Sequence, residues 1–253
     1  MTGRRVAALV AFDLAAILLV AGLVALAAWQ VHRRAWKLDL IARVEARVRA
    51  SPAPAPGPAR WAAVSVAADE YRRVAAAGTW LEDRSTFVQA VTALGGGSWV
   101  MTPLARDDGT TILVNRGFVP DQARDPAAWR ARDGQPVAVT GLLRLSEPGG
   151  GFLRANDAAA ERWFSRDVAA IAASRGLTRV APYFIDLERG PGEGSLPVPG
   201  LTVVAFSNNH LVYALTWGVL ALMAAAGAVA VTLDQIRPGR GTRALAGCAA
   251  DGG

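Results

Sequence analysis

The sequence predicts an α+β membrane protein. Two transmembrane helices flank a mainly antiparallel β domain that carries one or two helices and is open to closure into a barrel. Three observations predict it. Mean hydropathy is +0.25 although 19% of the residues are charged, so the apolar residues must be gathered in blocks. Two such blocks stand near the two ends, at residues 6–28 and 210–233. Between them, short β-like runs alternate with turn signals.

Val6 to Ala28 is an apolar run with one charge, Asp13. At 1.5 Å per residue it reaches about 35 Å, enough for a hydrocarbon core of about 30 Å. Two readings stand for it. An uncleaved anchor fits its length. A signal peptide fits Arg4 and Arg5 ahead of it and the small residues Ala25 and Ala27, but its apolar stretch exceeds the usual h-region. Asp13 is either solvated by its position along the span or is a polar contact to a partner helix. Leu211 to Leu233 carries no charge at all and is closed by Asp234, Arg237 and Pro238.

After the first span, Leu38 to Val48 reads as a helix with Leu40, Ile41, Val44 and Val48 on one side. Pro52, Pro54, Pro56 and Pro58 then read as a stiff Ala-Pro linker, so residues 29–59 connect the span to a domain at 60–209. Strands are expected at Thr86–Val91, Trp99–Leu104, Thr111–Asn115, Val137–Leu145, Tyr183–Leu187 and Leu201–Phe206. Asp107-Asp108-Gly109 makes the second and third a hairpin. One helix is expected at Arg166–Arg175, with Ser165 as its N-cap and Gly176 as its stop. The glycine triplets 95–97 and 149–151 read as loops without a phosphate-binding pattern.

Charge excludes little. Net charge is +6, but Lys37 is the sole lysine and the arginines are scattered among acids. No basic block of the kind that tracks nucleic acid appears, so nucleic acid is not an expected partner. The single cysteine, Cys248, forbids an intrachain disulfide and a cysteine zinc site. His32 and His210 are the two histidines, and the chain between them has neither His nor Cys. Triad, Cys-His and His-zinc chemistry cannot be built there, and the protein is not expected to be an enzyme. Both histidines fall at the same end of the spans. On the second helix His210, Tyr213 and Trp217 are spaced i, i+3 and i+7 and share a face. One reading is an interfacial aromatic belt capped by Asn208 and Asn209. The other is a flat apolar surface with an axial ligand at its edge, suited to haem.

Four segments, in order from Trp29 to Trp217, together resemble one family. They are Trp29-Gln30-Val31-His32-Arg33 with Trp36-Lys37, Tyr71-Arg72-Arg73-Val74 with Gly78, Val100 to Leu104 followed by Ile112 to Pro120, and Asn208-Asn209-His210-Leu211 with Tyr213 to Trp217. The family is the Surfeit locus protein one group, the Shy-one-like assembly factors of cytochrome c oxidase. The resemblance implies a bacterial inner-membrane protein with its domain in the periplasm and both termini, including residues 234–253, in the cytoplasm. Charge alone splits on that orientation. It implies transient binding of haem a, with His210 as ligand and Tyr213 and Trp217 beside it, and delivery to oxidase subunit I. Haem a synthase is a further partner it allows. A haem-independent scaffold holding subunit I or the synthase is the alternative. Trp29, Gln30 and Arg33 match the membrane-exit motif, read as a partner surface or an interface anchor. Asn115, Arg116 and Gly117 match the central motif, read as partner-binding or structural. His32 lies outside the family pattern.

Overall fold

The computed structural model describes residues 3–123, 125, 136–151, 153–188, 196–201 and 208–237. They form two compact units, one spanning residues 41–205 and one made of the two terminal segments. The helices are α1 (Gly3–Arg49), α2 (Val66–Asp69), α3 (Val168–Ser174) and α4 (His210–Ile236).

The β unit is a closed barrel, as its alternating strands foreshadow. Strands β1 (Ala53–Pro54), β2 (Arg73–Trp80), β3 (Thr86–Thr92), β4 (Gly95–Ala105), β5 (Thr111–Pro120), β6 (Pro136–Leu145), β7 (Gly150–Gly151), β8 (Arg154–Ala155) and β9 (Val180–Leu187) follow in chain order. The main sheet runs β1-β2-β6-β9-β5-β4-β3, and β2 pairs again with β4 to close five strands on themselves. Closure runs through Thr79↔Ala105 and Trp80↔Leu104. It depends on Gly78, where a Cβ would stand 2.2 Å from the Ala105 carbonyl oxygen. The pairing is antiparallel except between β5 and β9 and between β1 and β2, which are parallel.

Two-residue periodicity sorts the side chains. Ile112, Val114, Tyr183, Ile185, Leu143 and Val74 join the inner core. Leu113, Phe184 and Met101 face the other way and pack with Val88, Trp163, Val168 and Ile171. Val168 and Ile171 belong to α3, which covers that outer face. Both faces of β5 are therefore buried, which is why Thr111 to Val119 is buried at every position.

Several expectations shift. The helix stops at Gly176, with φ +60, but its N-cap is Asp167, which accepts from Ala170 N. Ser165 is buried instead among loop groups: it donates to the Glu147 carbonyl and accepts from Gly150 N and Asn156 Nδ2. Glycines 95–97 open β4, and Gly150–Gly151 forms β7. The Ala-Pro run is part of the domain, and Ala53–Pro54 within it is a strand. Ala53 and Pro54 pair with Val74 and Ala75, Ala55 is buried, and the Pro56 carbonyl accepts from Tyr183 Oη at 2.7 Å. Proline suits such an edge because it has no N–H to satisfy. Strand β2 is additional to the expected set, because Ala75, Ala76 and Ala77 carry no β-branched signal. The expected hairpin holds: Asp108 Oδ1 accepts from the Thr110 hydroxyl and from Thr110 N, the latter at 2.9 Å, and these bonds hold the Asp108 carboxyl below its usual pKa. Residues 202–206 of the expected last strand lie outside the described residues.

The terminal unit consists of most of α1 together with α4. Both helices are long and apolar enough to cross a membrane. Helix α1 runs without a break from the first span through Leu38–Val48. Its last turns, from Ile41 on, belong to the β unit. Val44 is buried and Leu40, Ile41 and Val48 are half-buried, the four positions that periodicity marks. Arg47 ties this end to the domain by donating to the carbonyls of Glu70 and Ala67.

Candidate functional site

At the head of α4, His210 is half-buried and its Nδ1 stands 2.7 Å from Gln30 Oε1 of α1. Gln30 is buried, whereas Trp29 beside it is 56% exposed. An amide oxygen facing Nδ1 makes that nitrogen the donor. It fixes the tautomer whose lone pair lies on Nε2. Metal-binding histidines are commonly oriented this way, through a hydrogen bond from the ring nitrogen that does not ligate. The residues present therefore fit an imidazole that would ligate a metal ion through Nε2. Ala214 and Ala221, at i+4 and i+11 from His210, are the buried residues of α4. Trp217 is half-buried, and Tyr213 at the edge is 54% exposed. Asn209 takes the N-cap position without a side-chain capping bond, because its backbone is not extended; its carbonyl accepts from Tyr213 N. Arg33 lies over the Trp36 ring at 4.1 Å, both exposed on α1. His32 is exposed. The glutamine, not the second histidine, meets His210.

Within the β unit, Asn115, Arg116 and Gly117 sit on a β-bulge. The register steps from Trp99↔Phe118 to Met101↔Asn115, so β5 carries one residue more than β4 there. Gly117 has φ +131 and lies against the Val198 carbonyl. The bulge turns neighbouring side chains to different partners. Arg116 Nη1 donates to both Glu82 carboxylate oxygens, at 2.7 and 2.8 Å, with its guanidinium over the Trp80 ring. Burial lowers the Arg116 pKa against the opposing pull of Glu82. Asn115 Nδ2 donates to Asp186 Oδ1 at 2.8 Å, and its Oδ1 accepts from Gly117 N at 3.1 Å.

Asp186 then joins Arg144 and Arg166, which reach Glu70 and Glu147. Burial pushes the Glu147 carboxyl up, but hydrogen bonds from Arg166 and the charge of Arg144 outweigh it, and its pKa lies below the usual carboxylate value. A depressed carboxylate contributes stability that is complete above its unfolded pKa, about 4.3, and is lost as pH falls through the folded one. We expect the urea midpoint of the domain to fall below roughly pH 4 and Glu147→Gln to flatten that limb. An identical acid limb in the variant would remove Glu147 from the network's energetics. Sequence reading singles out Asn115 and Arg116, but not Glu82, Glu147 or Asp186. The pairings span 34 and 71 residues, and no local spacing announces them.

Comparison with known proteins decides the relationship. The SURF1 family model matches residues 17–222. The chain belongs to the SURF1 family. As a SURF1 family member with two span-length apolar helices, it is a membrane protein. It is 34% identical over 212 residues to human Surfeit locus protein 1, covering 76% of this chain and 68% of the human one. It is 33% identical over 211 residues to the rat protein, covering 76% and 66%. A SURF1-like protein of Monosiga brevicollis is 34% identical over 208 residues, covering 76% of each chain. The chain thus spans about two thirds of the length of its mammalian relatives. The matched region includes both His210 and the Asn115–Gly117 bulge.

Proposed function

We propose that this SURF1 family member is a cytochrome c oxidase assembly factor that binds haem a through His210 and assists its insertion into subunit I, without catalysing a reaction itself. The observation that carries the haem reading is the 2.7 Å contact between Gln30 Oε1 and His210 Nδ1. Family membership supports the oxidase role. Bound haem a would supply an iron for Nε2 to ligate and a flat apolar macrocycle. His210 holds that lone pair. Gln30 orients the ring and keeps the proton on Nδ1. Trp217 and Tyr213 follow on the same helix and offer aromatic surface for the macrocycle. The domain stands in the periplasm and both termini in the cytoplasm. A reporter fused after Gly253 checks that orientation: a cytoplasm-active reporter is expected to be on and a periplasm-active one off.

The test is the haem a content of oxidase purified from cells lacking this gene and complemented with variants. His210→Ala is expected to lower haem a per oxidase to the level of the uncomplemented strain. Gln30→Leu is expected to fall between, because the ligand remains but its orientation is lost; loss of such an outer partner costs about 10–100-fold in metal affinity. Full haem a content with His210→Ala, and retained capture of subunit I, would favour the haem-independent scaffold.

A further inference from the structure

We propose that Asp13 and Thr232 form a polar clasp that sets the rotation and register of the two spans and so holds Gln30 against His210. Thr232 Oγ1 donates to Asp13 Oδ1 at 2.7 Å, from α4 to α1. Asp13 is the one charged residue in the apolar run of α1. A carboxyl group in hydrocarbon is costly, and such residues characteristically find a partner on a neighbouring helix. A helical threonine commonly returns its hydroxyl proton to its own backbone, as Thr216 does to the Val212 carbonyl at 2.9 Å. Thr232 directs its proton across to α1 instead.

The hydrophobic effect adds little to this pairing, because lipid tails are as apolar as leucine and valine surfaces, so packing and interhelical hydrogen bonds must set the register. Next to the clasp the spans leave a groove of about 660 Å³ lined by Ile17, Val20, Val24, Val229 and Leu233. The buried alanines of α4, Ala214 and Ala221, lie toward the other end. The two polar contacts, Asp13–Thr232 and Gln30–His210, therefore stand at opposite ends of the helix pair. One contact would leave a pivot, whereas two prevent both sliding and rotation. Asp13 and Thr232 are positioning residues. Their consequence for haem rests on the function proposed above; the clasp itself does not.

The test uses the full chain with Cys248→Ser, carrying nitroxides at Val31→Cys and Val212→Cys. Both positions are exposed on their helices, at 55% and 64%. Double electron–electron resonance in phosphatidylethanolamine–phosphatidylglycerol nanodiscs, without haem, reads the spacing of the His210 end. A single narrow distance is expected. Asp13→Asn and Thr232→Ser retain an acceptor and a hydroxyl and should preserve it. Asp13→Leu and Thr232→Val should replace it with a broad or shifted distribution. The double variant should be no broader than either single, because the two remove the same bond. An unchanged urea midpoint of the β domain in every variant excludes misfolding as the cause. A narrow distance surviving in both Asp13→Leu and Thr232→Val overturns the clasp. Parallel haem titration separates the two claims: distances that respond while no variant binds haem leave the clasp standing and remove the haem reading alone.

Discussion

Gly117→Val is expected to be the most destabilising single substitution in the β domain. The residue sits at φ +131, which L side chains rarely adopt, and a Cβ there would lie 2.3 Å from the Val198 carbonyl oxygen and 2.7 Å from Pro199 N. Neither atom is the end of a flexible side chain, so the backbone would have to move. Strained backbone and overpacking each cost about 1–3 kcal/mol, more for a β-branched residue, so a loss of roughly 3–6 kcal/mol is expected. That is a large share of the roughly 5–15 kcal/mol that holds a domain together. Gly149 provides the control. It too has positive φ, +93, but an added Cβ meets nothing within 4 Å. Gly149→Ala should lose only the backbone-strain part, about 1–3 kcal/mol, and so lower the urea midpoint by less. Equal midpoints for the two variants would mean that close approach at the bulge is not what requires Gly117.

Arg116→Met is the second large effect. Arg116 is buried at 7% exposure, and its partner Glu82 is 2% exposed. Removing the arginine takes the charged donor from a carboxylate with little access to water. Breaking a buried pair in this way costs about 3–5 kcal/mol, whereas replacing both partners with apolar groups of similar volume is often close to neutral. The Glu82→Leu/Arg116→Met double variant should therefore recover much of what either single variant loses. Additive losses in urea denaturation would show that the pair acts through other neighbours. Since these residues stabilise the bulge, reduced oxidase assembly in Arg116 variants is expected to track the folded fraction rather than haem affinity.

Sequence carries the architecture far because its signals are local. The two apolar runs, the Asp107–Gly109 turn and the apolar spacing of Leu40, Ile41, Val44 and Val48 are each visible within a couple of dozen residues, and the structure matches them. Strand β2, which sequence does not announce, carries Ala75–Ala77 opposite β6, and Gly78 after them lets Ala105 approach where the barrel closes. The proline run reads as a spacer because proline favours extended chain. What makes it a strand is pairing to Val74 and Ala75, some twenty residues away. Ser165 resembles a cap by position, and only the loop from Glu147 to Asn156 gives its hydroxyl a different use.

The candidate site divides the same way. His210 and its aromatic neighbours can be found from spacing on one helix. Gln30 cannot be assigned its role that way, because its contact with His210 spans 180 residues. Burial supplies the missing signal. A buried glutamine next to exposed Trp29 at the end of a span needs a polar partner, and His210 is the polar residue that opens the other span. Asp13 is the companion case: an isolated acid in an apolar run implies a partner, and the fold names Thr232.

The most direct test of the account is the visible spectrum of the purified full-length protein, co-expressed with haem a synthesis, beside His210→Ala. The wild-type protein is expected to carry a haem a spectrum and His210→Ala to lose it while keeping the urea midpoint of its β domain. Full haem occupancy in His210→Ala would contradict it.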